Sequence, residues 1–437
     1  MPPASKTFKF SVNGRTYEPP PRPIVVICLD GSADEYLDAT LARNRMPNLQ
    51  RMAVTGYRGL ARAALPTFTN VNNSSIVTGV PPSVHGIGGN FFYDTATGQE
   101  VMMNSATYLR AETILAAAAR AGRKVGVVTA KEKLRDIFSQ GLIGKQSSGG
   151  CGLAFSAEKA NQAVKATHGI DRVEQIAGHP TPPIYSADAS LFVLRAGAAL
   201  IEQDLADFLY LSTTDYMQHT YAPETQESLD FYGVLDRELG RLLELGAIIG
   251  LTADHGMNAK QKFNGEPNVI YLETELTKKF GDGFRVILPI TDPYVVHHGA
   301  LGSFAVVHLP SSRADVGLAE TVQDWLLELP GVTEVYDRAA AARKLELPAD
   351  RLGELVVLSG RDVVLGRTPK YHDLKALHGG LRSHGGRYEE MVPFIISEPL
   401  TPRYIARAAG DPRNFDIFDF VCNGGPNVFS KADSTPA

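Results

Sequence analysis

A chain of 437 residues with 44% hydrophobic and 21% charged residues is long enough for two packed units and too apolar to be disordered. Its 43 basic and 48 acidic residues leave a formal net charge of −5, which excludes the basic excess that nucleic-acid or anionic-membrane surfaces require. Cys28, Cys151 and Cys422 are too few and too widely spaced for a disulfide framework or a Cys-rich zinc module. The N-terminal MPPASKTFKFSVNGRTYEPPPRP has no apolar core, and no long apolar run occurs elsewhere, so a cytoplasmic protein that neither spans nor coats a membrane is expected.

The first predicted element is the strand Pro23–Asp30 (PIVVICLD), a continuous β-branched apolar run of the kind covered on both faces in a parallel sheet. Asp30 closes it beside Gly31, either as the N-cap of a following helix or as a ligand at the sheet's carboxyl edge. In Ala64–Gly79 (ALPTFTNVNNSSIVTG) an apolar approach ends at Pro66, and Thr69-Asn70 opens a segment with helical spacing. Thr69 is a candidate nucleophile, since a hydroxyl at a helix N-terminus is favoured when it ionises or carries a phosphoryl group. Its plainer reading is a Thr N-cap.

Ala111–Ala121 reads as a helix stopped by Gly122, and Lys124–Thr129 (KVGVVT) as a second buried strand. The helix Ser186–Gln203 leads into the strand Asp207–Thr213. Asp215 and His219 follow that strand four residues apart, on one face if helical, where they could chelate a divalent metal. The alternative is a capping Asp and a surface His. After the helix Glu224–Leu245, the strand Ala247–Ala253 ends in Asp254-His255-Gly256, which suits either a metal site or an ordinary turn. From Met257 to Lys370 the pattern changes to short strands (Phe304–His308, Val332–Tyr336, Glu354–Leu358) around an amphipathic Ala319–Glu328. His384 stands in a Gly-rich loop before a last core strand, Val392–Ser397, with His378 as its competitor.

Strands alternating with helices predict an α/β fold, a doubly wound, mainly parallel sheet, made by residues 1–256 and 371–437. Residues 257–370 are expected to form an inserted α+β cap domain. Three strands end in Asp-containing triplets, and two of those triplets carry a His within four residues. Asp30, Asp215, Asp254, His219, His255 and His384 together match the ligand chemistry of a pair of zinc ions.

In order and context, Asp30, Thr69, Asp215-x-x-x-His219, Asp254-His255 and His384-Gly385 resemble the two-metal motifs of the alkaline phosphatase superfamily, in its nucleotide pyrophosphatase/phosphodiesterase-like branch with a Thr nucleophile. More narrowly, PTFTN-x-NN-x-SIVTG, PPSVHGIGGNFFYD (Pro81–Asp94), EVMMN (Glu100–Asn104) and VVTAKEKLR (Val127–Arg135) look like the phosphonoacetate hydrolase family. The resemblance implies an alkaline phosphatase-like core and two zinc ions, one held by Asp30, Thr69, Asp254 and His255 and the other by Asp215, His219 and His384. It implies Thr69 as the catalytic nucleophile, Asn90 on a phosphonyl oxygen, and Lys131 and Lys133 on a substrate carboxylate. Val71 stands where the family has Pro.

The implied reaction is cleavage of the C–P bond of a small phosphonate, phosphonoacetate, to acetate and phosphate through a phosphothreonine. The alternative is a nucleotide pyrophosphatase/phosphodiesterase on the same scaffold, and a metal-binding protein without turnover is a third reading. A homodimer is compatible with all three. No Cys has the C-x-P-x-R context of a sulfatase, and Thr69 is not the Ser of phosphoglycerate mutase relatives. If the extended geometry of the preceding strand continues, Lys131 and Lys133 point the same way.

Overall fold

The computed structural model describes residues 8–143, 152–290, 300–310, 316–377 and 380–426. Its centre is a seven-stranded sheet in the order Tyr57–Arg62, Met391–Ile396, Ile248–Thr252, Ile24–Cys28, Phe208–Ser212, Val125–Thr129 and Gly152–Ser156. The last five run parallel. Every residue of Ile24–Cys28 is buried, as the unbroken apolar run predicts. Because successive side chains point to opposite faces, Val25 and Ile27 enter one core while Ile24, Val26 and Cys28 enter the other.

The first core is closed by the helices Asp34–Leu41, Pro47–Thr55, Ala187–Glu202 and Gln226–Glu244. The second is closed by Thr69–Thr78, Ile114–Arg120, Glu132–Phe138 and Ile417–Asn423. This is the expected doubly wound α/β architecture. Gly122 takes φ +94° just past the helix Ile114–Arg120, a conformation that Gly adopts without a Cβ penalty.

Two features depart from the sequence reading. Met391–Ile396 is as apolar as its neighbours but runs antiparallel to Ile248–Thr252. Burial on both faces dictates its composition, and direction leaves no mark on composition. The outer strands Tyr57–Arg62 and Gly152–Ser156 were not expected, because YRGLAR is too polar to stand out and GLAFS has no β-branched residue. Among the described residues, no helix is long and apolar enough to cross a membrane.

Between Ile248–Thr252 and Met391–Ile396 the chain builds a four-stranded antiparallel sheet in the order Arg285–Ile287, Phe304–His308, Leu355–Ser359, Val332–Asp337. The helices Leu272–Phe280, Val316–Leu327 and Arg338–Lys344 accompany it. A short antiparallel pair, Asn258–Ala259 with Arg382–Ser383, ties the outgoing chain to the returning one. The apolar cluster of this insert also takes in Leu65, Phe68 and Val71, so it packs directly on the approach to Thr69. Val71 is the third residue of the helix Thr69–Thr78, and the Asn72 N–H just after it donates to the Phe68 carbonyl at 3.1 Å. First-turn N–H groups have no intrahelical partner, so Pro and Val are both accommodated there.

Candidate active site

All the parallel strands end at one edge of the sheet, and that edge collects the acidic residues. Asp30 follows Ile24–Cys28, Asp215 follows Phe208–Ser212, and Asp254 follows Ile248–Thr252. His384 precedes its strand. Since that strand is antiparallel, its beginning lies at the same edge, and His384 joins the others.

The capping alternatives fall away at these positions. The helix after Asp30 starts at Asp34, with Ala33 as its N-cap. Phe68 precedes the helix Thr69–Thr78, so Thr69 is its first residue and not its cap. Asp215 does stand at the N-cap of Tyr216–Thr220, but its carboxylate makes no capping bond. It lies 3.0 Å from Lys131 Nζ through Oδ1 and 3.1 Å from His219 Nε2 through Oδ2. His384 Nε2 is 3.8 Å from the same Oδ2. His255 Nε2 lies 3.3 Å from Asp30 Oδ1, 3.6 Å from Asp254 Oδ2 and 3.5 Å from Thr69 Oγ1. The rings of His255 and His384 stack 3.5 Å apart.

Each imidazole is aimed by its other nitrogen. Nδ1 of His219 meets the Arg382 carbonyl at 2.8 Å, that of His384 the Thr67 carbonyl at 2.7 Å, and that of His255 the Gly256 carbonyl at 2.9 Å. A carbonyl can only accept, so Nδ1 carries the proton in all three. This arrangement leaves Nε2 available as a metal ligand.

Electrostatics point the same way. Burial, then the negative charge of Asp30, pushes the Asp254 carboxyl well above its usual range. Burial also acts to raise Asp215, but Lys131 and His219 outweigh it and hold that carboxyl well below. Burial would lower His255, yet Asp254 and Asp30 push it up to about 9. His384 is driven well below its ordinary value by burial and by His255 and His219 beside it. The concentrated negative charge is what draws a proton onto His255, and divalent cations would satisfy the same demand.

The donor set fits such cations on a separate observation: both carboxylate oxygens of fully buried Asp30 have no hydrogen-bond partner among the described residues. Ligand atoms of Asp215, His219 and His384 lie within 4.8 Å of one another, as do those of Asp30, Asp215 and His255. The first group is the set expected for one metal. In the second, Asp215 stands where Asp254 was expected. Asp254 Oδ1 accepts the Gly31 and His255 N–H groups, and its Oδ2, 3.6 Å from His255 Nε2, accepts from Asn73 Nδ2 and keeps a lone pair.

Asn90 Oδ1 accepts the Asn70 N–H at 3.3 Å at the start of the Thr69 helix, which leaves its amide NH2 to donate. Lys131 is 9% exposed and reaches both Asp215 and, at 3.6 Å, Asp30. The strand geometry does not continue past it: Lys131 is extended, but a helix begins at Glu132 and Lys133 is its second residue. The two lysines therefore share no strand face, and the reason drawn from their spacing is corrected. His378 lies outside the described residues.

The helix Thr69–Thr78 is wholly buried although it contains Asn70, Asn72, Asn73, Ser74, Ser75 and Thr78. Asn73 is the hub, donating to Asp254 and to the Thr69 carbonyl while accepting from Tyr210 and Ser212. Sequence reading passed over it. The available signal was an uncharged run of small polar residues at helical spacing, which pays for burial only within a satisfied network.

Residues 24–386 match the family model described as type I phosphodiesterase/nucleotide pyrophosphatase. The chain belongs to that family. Within it, the chain is 45% identical to phosphonoacetate hydrolase from Sinorhizobium meliloti 1021, over 96% of this chain and 99% of that one, with a TM-score of 0.88. That protein has been solved in complex with phosphonoformate and with phosphonoacetate. The chain thus groups with the phosphonoacetate hydrolases, as the resemblance of its motifs implied. Murine ectonucleotide pyrophosphatase/phosphodiesterase 5 is 17% identical over 92% of this chain and 94% of its own, with a TM-score of 0.61, a likeness of fold. Alkaline phosphatase PafA from Elizabethkingia meningoseptica is 34% identical over 89 residues, 20% of this chain and 16% of that protein. The match therefore spans under a fifth of that curated relative's length.

Proposed function

We propose that the chain cleaves the C–P bond of phosphonoacetate with two zinc ions, releasing acetate and phosphate by way of a phosphothreonine at Thr69. The observation that carries this reading is the 45% identity to a phosphonoacetate hydrolase over nearly the whole of both chains. Lys131, a buried cation among the acidic residues, supports it from within the site. Asp215, His219 and His384 would hold one zinc, and Asp30, Asp254, His255 and Thr69 the other. Bound there, the ions would draw negative charge off the phosphonyl oxygens and favour ionisation of the Thr69 hydroxyl.

Thr69 Oγ1 then forms a bond to phosphorus as the C–P bond breaks, and the bonding pair passes to carbon and on into the neighbouring carboxylate. Lys131, with Lys133, balances the charge that builds on this enediolate, and a proton taken up at carbon gives acetate. Asn90 donates its amide N–H to a phosphonyl oxygen. Water hydrolyses the phosphothreonine, returning the threonine hydroxyl and releasing phosphate.

The test is to incubate the purified, zinc-loaded chain with phosphonoacetate, a nucleotide diester and an aryl phosphate, and to assay acetate and phosphate. Equimolar acetate and phosphate from phosphonoacetate, well above the other turnovers, is expected. Preferential cleavage of the diester would replace this reading with a phosphodiesterase. Metal analysis should give close to two zinc ions per chain, and His384→Ala should lose one of them together with turnover. A His384→Ala protein with both ions and full activity would move the ligand to His378.

A further inference from the structure

Thr67 stands two residues before the nucleophile and is fully buried, and its hydroxyl bonds to the backbone of the Gly385-Gly386 turn. Four hydrogen bonds join it to the loop that carries His384. Its N–H donates to the Gly385 carbonyl at 3.3 Å, and its own carbonyl accepts His384 Nδ1–H at 2.7 Å. The hydroxyl accepts the Gly385 N–H at 2.9 Å and donates its proton to the Gly386 carbonyl at 3.0 Å. That proton is therefore committed to a backbone carbonyl.

The loop is pressed closely onto this anchor. Gly385 has φ +120°, and a Cβ there would lie 2.6 Å from Phe68 Cε1, the ring between Thr67 and Thr69. From the inserted domain, the Ser303 N–H donates to the His384 carbonyl at 2.9 Å. From the far side, Glu389 Oε2 accepts the Gly386 N–H at 3.0 Å. Those two contacts hold the loop from outside the nucleophile segment, whereas Thr67 joins it to the chain leading directly into Thr69.

We infer that Thr67 is a positioning residue whose hydroxyl locks the Gly385-Gly386 turn and so keeps His384 Nε2 directed at Asp215 and His219. The inference rests on His384 being a zinc ligand, as proposed above. It adds that the nucleophile segment and the His384 loop form one hydrogen-bonded unit, so that disturbing the turn loosens a ligand without removing it. Groups that orient a ligating imidazole typically change metal affinity 10- to 100-fold when lost.

The experiment measures zinc affinity by chelator competition in the absence of substrate, so an error in the substrate assignment leaves its outcome unchanged. Thr67→Val keeps the side-chain shape and removes the hydroxyl. It is expected to fold, to bind one zinc as the wild type does, and to bind the other about 10- to 100-fold more weakly. Thr67→Ser should restore wild-type affinity. Should Thr67→Val not fold by circular dichroism and thermal unfolding, the smaller Thr67→Ala is read against Thr67→Ser in the same way. Wild-type affinity for both ions in the hydroxyl-less variant, or weakening in Thr67→Ser equal to it, overturns the inference. A wild-type chain that takes up a single zinc overturns the two-metal reading, and this inference with it.

Discussion

Thr69→Ala is expected to lose turnover by on the order of a thousandfold or more while the protein remains folded. The reasoning starts from what the hydroxyl touches. Oγ1 lies 3.5 Å from His255 Nε2, within the acidic cluster, and makes no capping bond to its helix. Removing it therefore costs less than loss of a true N-cap, under about 1 kcal/mol. Thermal unfolding should move little, and zinc analysis should still find both ions, because the remaining ligands are untouched. Thr69→Ser keeps an oxygen at the same place and should retain measurable activity. Phosphonoacetate cleavage by Thr69→Ala at the wild-type rate would remove the phosphothreonine from the mechanism.

Lys131→Ala should lose phosphonoacetate turnover by on the order of a hundredfold or more while sparing an aryl phosphate. The aryl leaving group carries no carboxylate, so it serves as the control within the same protein. Lys131 is buried between Asp215 and Asp30, where charge–charge interactions are weakly screened. Its removal takes away a cation that competes for those carboxylates, so zinc binding should persist. Lys133 is half-buried on the following helix, and Lys133→Ala should show the same selectivity with a smaller loss, because water screens its charge more. Equal losses on both substrates would remove the carboxylate-binding role, and with it the choice of phosphonoacetate.

How much of this was legible beforehand depends on what each feature demands of composition. Burial on two faces demands an unbroken apolar run, so the strands at Ile24–Cys28, Phe208–Ser212 and Ile248–Thr252 could be read directly. A ligand at the carboxyl edge of such a strand has to follow it closely, so Asp30, Asp215 and Asp254 could be read as well. Tyr57–Arg62 is only partly buried, and Gly152–Ser156, although buried from Leu153 on, has no β-branched residue, so both passed unnoticed.

The sequence by itself supplied the candidate donors and the candidate nucleophile, because a metal needs particular donor atoms and a nucleophile needs an oxygen. Tertiary structure alone decided how they meet. His384 reaches the site because its strand reverses direction, and strand direction is a property of pairing rather than of residue type. Lys131 parts from Lys133 because a helix begins between them. Thr67 and Thr69 are the same residue type two positions apart. Only the fold turns one hydroxyl toward His255 and the other onto the Gly385-Gly386 turn. Hydrogen bonds between residues more than 300 positions apart leave no trace in local spacing, since they exist only after the chain has closed on itself.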